Sequence, residues 1–176
     1  MADAGLEQTE QISLKYEVKF DDGFDFKEDG KLPGIFGGAP SCKSGGAEGC
    51  FTSRLRWRQD GKGELYLYIP DNQVDGFCER PNYYCNAAYG HSINQGSFEI
   101  IPGTWHKIEQ RIKLNNPGEF NGIMRIFVDG ILAVSLDDLN FRTSDDTKIN
   151  GMYFNVQFGG SDPESQARVF NLKFYF

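Results

Sequence analysis

The sequence predicts an all-β protein, a jelly-roll sandwich of two antiparallel sheets, and three observations carry that expectation. Aromatic residues make up 14% of the 176-residue chain and glycine contributes 21 residues, a composition that suits many short strands joined by tight turns. Apolar and polar residues alternate with a period of two in one segment after another, and no stretch keeps the period of an amphipathic helix beyond a turn or two. Strands so closely spaced, with no helical crossovers, have to bury their apolar faces against a second sheet. At this length one core suffices, so residues 1–176 are expected to form a single domain.

Taken in order, residues 12–20 place Ile12, Leu14, Tyr16, Val18 and Phe20 on one side and polar residues on the other, a strand pattern. The glycine-rich run 30–49 offers little to a core but holds Lys31-Leu32-Pro33-Gly34 and two cysteines, so it is expected to be an ordered, cross-linked loop. Residues 51–58 and 64–69 flank Gln59-Asp60-Gly61-Lys62-Gly63 as a hairpin. Residues 70–96 are rich in turn formers, and strands are expected at 97–101 and 105–114. Asp129-Gly130, between apolar runs at 123–128 and 131–136, is the strongest short hairpin signal in the chain. Two last strands fall at 152–158 and 169–176, and no internal repeat is visible.

No window reaches the roughly 18 apolar residues of a membrane helix, so no membrane is implied. The formal net charge of −7 leaves no basic footprint for nucleic acid, and an anionic ligand would need a local basic patch. The four cysteines form two close pairs, Cys42 with Cys50 and Cys78 with Cys85, in loop-like sequence. Free thiols and a metal site are the other readings, but neither spacing is that of a zinc knuckle. Two local disulfides are expected, hence a secreted, extracellular protein whose signal sequence has been removed. The acidic residues Asp137, Asp138, Asp145 and Asp146 lack the spacing of a calcium loop, and no metal site is expected.

Strand alternation puts Thr52, Arg54, Arg56 and Arg58 on one face of the first hairpin arm, with Glu64, Tyr66 and Tyr68 on the same face of the second. A turn centred on Gly61 would set Arg56 across from Tyr66 and Arg54 across from Tyr68. An ordinary solvated sheet face also carries Arg and Tyr, and alternation alone does not separate the two. Arg, Lys and Tyr without a nucleophile or metal do suit one reaction, the elimination of a 4-linked uronic acid. That reaction needs a cation on the carboxylate, a base for the C5 proton and an acid for the leaving oxygen. Arg54 and Lys31 fit the first need, and Tyr66 and Tyr68 the other two.

The segments Gly30-Lys31-Leu32-Pro33-Gly34, Phe51-Thr52-Ser53-Arg54-Leu55-Arg56-Trp57-Arg58 and Gly63-Glu64-Leu65-Tyr66-Leu67-Tyr68-Ile69-Pro70 resemble motifs of the family 14 polysaccharide lyases, which act on alginate. They are also similar to those of the fungal glucuronan lyases of family 20. Tyr89-Gly90-His91-Ser92-Ile93, Trp105-His106-Lys107-Ile108-Glu109-Gln110 and Phe158-Gly159-Gly160 extend the likeness from about residue 12 to the end. The resemblance implies a concanavalin A-like jelly roll and an endo-acting lyase that cuts glucuronan or alginate to 4,5-unsaturated oligouronates. It places a catalytic set on Lys31, Arg54, Tyr66 and Tyr68, with Thr52 where the family has Ser.

Arg56, Tyr89 and His91 are expected to bind substrate as well, joined by Gln110 and Gln157 if their strands share the concave sheet. His106 is expected to be structural, and Trp57 to lie in the core. Members of the family usually carry one more strand before the equivalent of Ile12, so by the resemblance the chain is expected to start late. No cofactor is required, although a structural calcium ion is known in similar glucuronan lyases, and the protein is expected to be a monomer whose partner is an acidic polysaccharide. A non-catalytic lectin-like module on the same sandwich is the alternative.

Overall fold

The computed structural model describes residues 9–38, 42, 48–154, 156–159 and 170–175. Among the described residues twelve strands follow one another: β1 (Gln11–Phe20), β2 (Gly30–Gly38), β3 (Cys50–Trp57), β4 (Lys62–Tyr68), β5 (Tyr83–Tyr84), β6 (His91–Glu99), β7 (His106–Lys113), β8 (Gly122–Val128), β9 (Ile131–Leu139), β10 (Ile149–Tyr153), β11 (Gln157–Phe158) and β12 (Phe170–Tyr175). The only helical segments among the described residues are single 3-10 turns at Gln59–Gly61 and Phe77–Glu79. The strands form two antiparallel sheets. One runs β12-β1-β7-β8-β9; the other, seven-stranded, runs β10-β2-β3-β4-β6-β5, with β11 also pairing β2.

Period-two alternation accounts for the packing between them. Leu14, Tyr16, Val18 and Phe20 of β1 and Ile108 and Ile112 of β7 meet Ile35, Phe51, Leu55, Leu65 and Leu67 of the other sheet in one buried cluster. Trp57 is fully buried, as its apolar strand face predicts, with ring centroids 5.1 Å from Phe20 and 5.4 Å from Phe158. Such edge contacts add about 0.5–1.5 kcal/mol each beyond the area they bury. Asp129 and Gly130 take positive φ of 54° and 80°, and Val128 pairs with Ile131 across the tight turn, as the hairpin signal requires. Both disulfides are formed, Cys42–Cys50 and Cys78–Cys85, each with Cα atoms 5.7 Å apart.

Three expectations are corrected. The glycine-rich run from Gly30 is not a loop at its start but strand β2, inside the seven-stranded sheet. Its glycines are there for close approach: a Cβ on Gly30 would enter the Trp57 ring, and one on Gly34 would collide with the Ser53 carbonyl. Most of the remaining stretch, 39–41 and 43–47, lies outside the described residues, as do residues 1–8. Strand β6 starts at His91 rather than near Ser97. The hairpin between β3 and β4 turns about Asp60, not Gly61, with Arg58 N–H donating to the Lys62 carbonyl. Its pairs are therefore Arg54 with Tyr66, Thr52 with Tyr68 and Arg56 with Glu64. Moving the centre by one residue moves each partner by two, so every side chain keeps its predicted face.

Candidate active site

Cross-strand register arranges the outer face of the seven-stranded sheet into three rows. Directly opposed residues share a face. The first row runs Gln157, Lys31, Arg56, Glu64 over β11, β2, β3 and β4. The second runs Tyr153, Gly34, Arg54, Tyr66, Ser92, Tyr84 over β10, β2, β3, β4, β6 and β5. The third is Phe36, Thr52, Tyr68. Lys31, Thr52, Arg54, Tyr68, Tyr153 and Gln157 line one cleft of about 270 Å³. Asp29, Lys31, Arg56 and Gln157 line an adjoining one of about 170 Å³.

A break in the strand ladder aims Lys31. Between Lys31 and Gly34 the β2–β3 register slips around Pro33, a place where a residue without an N–H fits. Every carbonyl of that bulge is held. Arg54 donates from Nε to the Leu32 carbonyl at 2.8 Å and from Nη2 to the Lys31 carbonyl at 3.2 Å. From the opposite sheet, Gln110 Nε2 and the Tyr16 hydroxyl donate to the Pro33 carbonyl at 2.9 and 3.2 Å. Lys31 Nζ then lies 4.6 Å from the Tyr66 ring centroid and 5.6 Å from that of Tyr68.

Burial sets the electrostatics. The guanidinium of Arg54, 8% exposed, is pushed below the usual arginine range by burial, opposed by the phenols of Tyr16, Tyr153 and Tyr68. Burial also pushes Tyr66 up, aided by a hydrogen bond with Tyr68 and only partly offset by Arg56. Tyr66 is therefore a proton-bearing phenol rather than one activated by positive charge. Its hydroxyl donates to the Tyr89 carbonyl, which can come so close because Gly90, at φ 96°, has no Cβ to meet the Tyr66 ring. The Tyr66 and Tyr68 rings stand edge to face with centroids 5.4 Å apart.

The structure brings together Lys31, Thr52, Arg54, Arg56, Tyr66, Tyr68 and Gln157. It does not bring two others. Gln110 belongs to β7 in the opposite sheet and is fully buried, bonded to Pro33 and accepting from Ser53 Oγ, so it supports the bulge and cannot meet a ligand. His91 lies opposite Leu67 on the inner face, 3% exposed, with Nδ1 accepting from the Asn86 N–H. Burial lowers its pKa. Tyr89 meets the site through its carbonyl, and its side chain is exposed. His106 bridges Asp129 and the Ile101 N–H, a structural role.

Four participants went unweighed in the sequence. Glu64, wholly buried, ion-pairs with Arg58 at 3.0 Å and Arg56 at 3.8 Å and accepts from Ser92 Oγ. Asp29 closes the other side of Arg56. Tyr153 faces Arg54, its ring centroid 5.7 Å away. For Glu64 the signal was available, since it shares a face with Tyr66; for Ser92, Asp29 and Tyr153 only the fold supplies the neighbours. No cluster of His, Cys, Asp or Glu able to hold a metal ion occurs among the described residues. Asp137, Asp138 and Asp145 instead pair with Arg125, Arg80 and Arg142.

A PL-14 alginate lyase of Aplysia kurodai is 34% identical and superposes with a TM-score of 0.81, over 95% of this chain and 69% of that one. An alginate lyase from Chlorella virus reaches the same TM-score at 24% identity, over 97% and 71%. The endo-β-1,4-glucuronan lyase of Trichoderma reesei gives 0.56 at 12% identity, over 94% and 65%. These last two likenesses concern the fold. Exolysin of Paramecium bursaria Chlorella virus 1 is 24% identical over 90% of this chain, which spans about a quarter (27%) of that protein's length. The model of the family described as Polysaccharide lyase 14 matches residues 2–176, and the chain belongs to that family.

Proposed function

We propose that this protein cleaves a 4-linked polyuronate, alginate or glucuronan, by β-elimination. The observation that carries the reading is the second and third rows: two phenols in mutual contact, with Arg54 directly opposite one and Lys31 over both rings. Removal of the C5 proton puts negative charge on a sugar that already bears a carboxylate. Lys31 and Arg54 stabilise it, and the neutral carbonyls that hold Arg54 do not cancel its charge. Tyr68, in the cleft with both cations, takes the C5 proton. The C4–C5 double bond forms, the C4–O4 bond breaks, and Tyr66 protonates the departing oxygen. Proton transfer from Tyr68 back to Tyr66, whose rings are in contact, resets both for the next turnover. Thr52 and Arg56 position the chain, with Gln157 beside Lys31. The two disulfides support an oxidising, extracellular setting.

Polyglucuronate, polymannuronate and polyguluronate should be incubated with the protein in turn, and the ultraviolet absorbance of the unsaturated product followed. A rise with at least one of them is expected. Binding without any rise would leave a lectin-like module and overturn the lyase reading.

A further inference from the structure

We propose that Tyr84 is the stacking platform of a distal subsite, on which the protein grips a long uronate chain laid across its strands. The inference rests on the lyase reading and extends it to substrate length. Register places Tyr84 in the row of Arg54 and Tyr66: it opposes Ser92, and Ser92 opposes Tyr66. Ser92 points outward, since its hydroxyl reaches Glu64 beside Tyr66. The adjacent Tyr83, opposite Ile93, turns the other way and packs on Phe77 with ring centroids 5.2 Å apart. Tyr84 is thus on the cleft side of the sheet, and it is 58% exposed.

Two strand spacings separate Tyr84 from Tyr66, about 9–10 Å. A pyranose in a 1→4 chain repeats on about the length of one such spacing, so the ring over Tyr84 lies about two sugars from the scissile bond. A phenol ring offers an apolar face to the C–H face of that sugar and a hydroxyl to its rim. The platform is also held in place before any ligand arrives. Cys78–Cys85 ties the residue after Tyr84 to the 3-10 turn, whose Phe77 is buried at 2% exposure. Asn94 N–H donates to the Asn82 carbonyl at 2.9 Å, and Tyr83 N–H to that of Arg80 at 3.2 Å. Little ordering cost remains for binding.

The test uses defined oligouronates of increasing length, read both by product absorbance and by equilibrium binding, with the whole chain as wild type, Tyr84→Ala and Tyr84→Trp. Tyr84→Ala should lower kcat/KM and affinity about tenfold, the order of one lost aromatic contact, on oligomers long enough to reach the platform. It should leave the shortest cleavable oligomer unchanged, and Tyr84→Trp should retain the long-chain preference. Changing Cys78 and Cys85 together to Ser should reproduce the length-dependent loss, with no further loss when combined with Tyr84→Ala. Equal loss at every length, or none at any, overturns the subsite while leaving the lyase intact. A wild type that binds long chains better than short without cleaving either overturns the lyase, and the binding arm still decides Tyr84.

Discussion

Tyr66 and Tyr68 lie two residues apart on one strand face, yet their surroundings differ. Tyr66 is 5% exposed and donates to the Tyr89 carbonyl, while Tyr68 opens into the cleft with Lys31 and Arg54. Positioned proton transfer contributes about 10²–10⁴-fold, so Tyr68→Phe and Tyr66→Phe should each lower kcat within that range. The double variant should lose little more, because the two act as one relay; initial rates on the preferred polymer measure this. His91 gives a prediction for stability. Burial depresses its folded pKa below the ordinary 6.5, so the unfolded chain binds more protons as pH falls below that value. Stability is then full above about pH 6.5 and lost below it, with a slope of at most about 1.4 kcal/mol per pH unit. Urea midpoints from pH 8 to pH 5 should fall for the wild type and stay flatter for His91→Gln. Glu10 and Glu109 act lower down. Arginine and lysine partners depress their carboxyls below 4.5, and the stability they add is lost only as pH falls through that more acid range.

At the scale of elements, β2 is the strand on which the site depends. It carries Lys31, its bulge is held by Arg54 from β3 and by Gln110 and Tyr16 from the other sheet, and its glycines let β3 come close. Gly34→Ala would press a methyl group on the Ser53 carbonyl and the Arg54 side chain. Overpacking of this kind costs about 1–3 kcal/mol. The variant should show a lowered denaturant midpoint together with a loss of kcat larger than that of a neighbouring outer-face change such as Phe36→Ala. Unchanged kinetics in a destabilised Gly34→Ala would show that β2 serves the fold alone. The buried Glu64 links the ends of β3 and β4 to β6 through Arg58 and Ser92.

For the molecule as a whole, charge opposes the substrate that the cleft attracts. The chain carries −7, and at about 0.01 M salt the Debye length of about 30 Å lets a polyuronate feel that charge, whereas at about 0.1 M it shrinks to about 10 Å. Contacts inside the cleft are a few ångströms long and survive such screening. The value of kcat/KM on polymer should therefore rise over that salt interval and decline beyond it. A steady fall from the lowest salt would mean that the local cations Lys31, Arg54 and Arg56 dominate at every range.

The sequence by itself determined the fold class, both disulfides, the Asp129-Gly130 turn and which side chains of β3 and β4 face outward. Each of these is a matter of local chemistry or of strict period-two alternation. Its motif order also pointed to the family. Tertiary structure alone decided the rest. Glycines in β2 read as loop because their purpose is the nearness of Trp57 and Ser53, which are distant in sequence. Gln110 and His91 were expected in the cleft because their polarity was legible and their sheet and face were not. The partners that place Tyr66 and Arg54, namely the Tyr89 carbonyl, Ser92, Tyr153 and the Pro33 bulge, are assembled from β2, β6, β10 and the turn before β6. Residue spacing along one chain holds no record of such contacts, because register between strands, not sequence distance, sets which side chains meet.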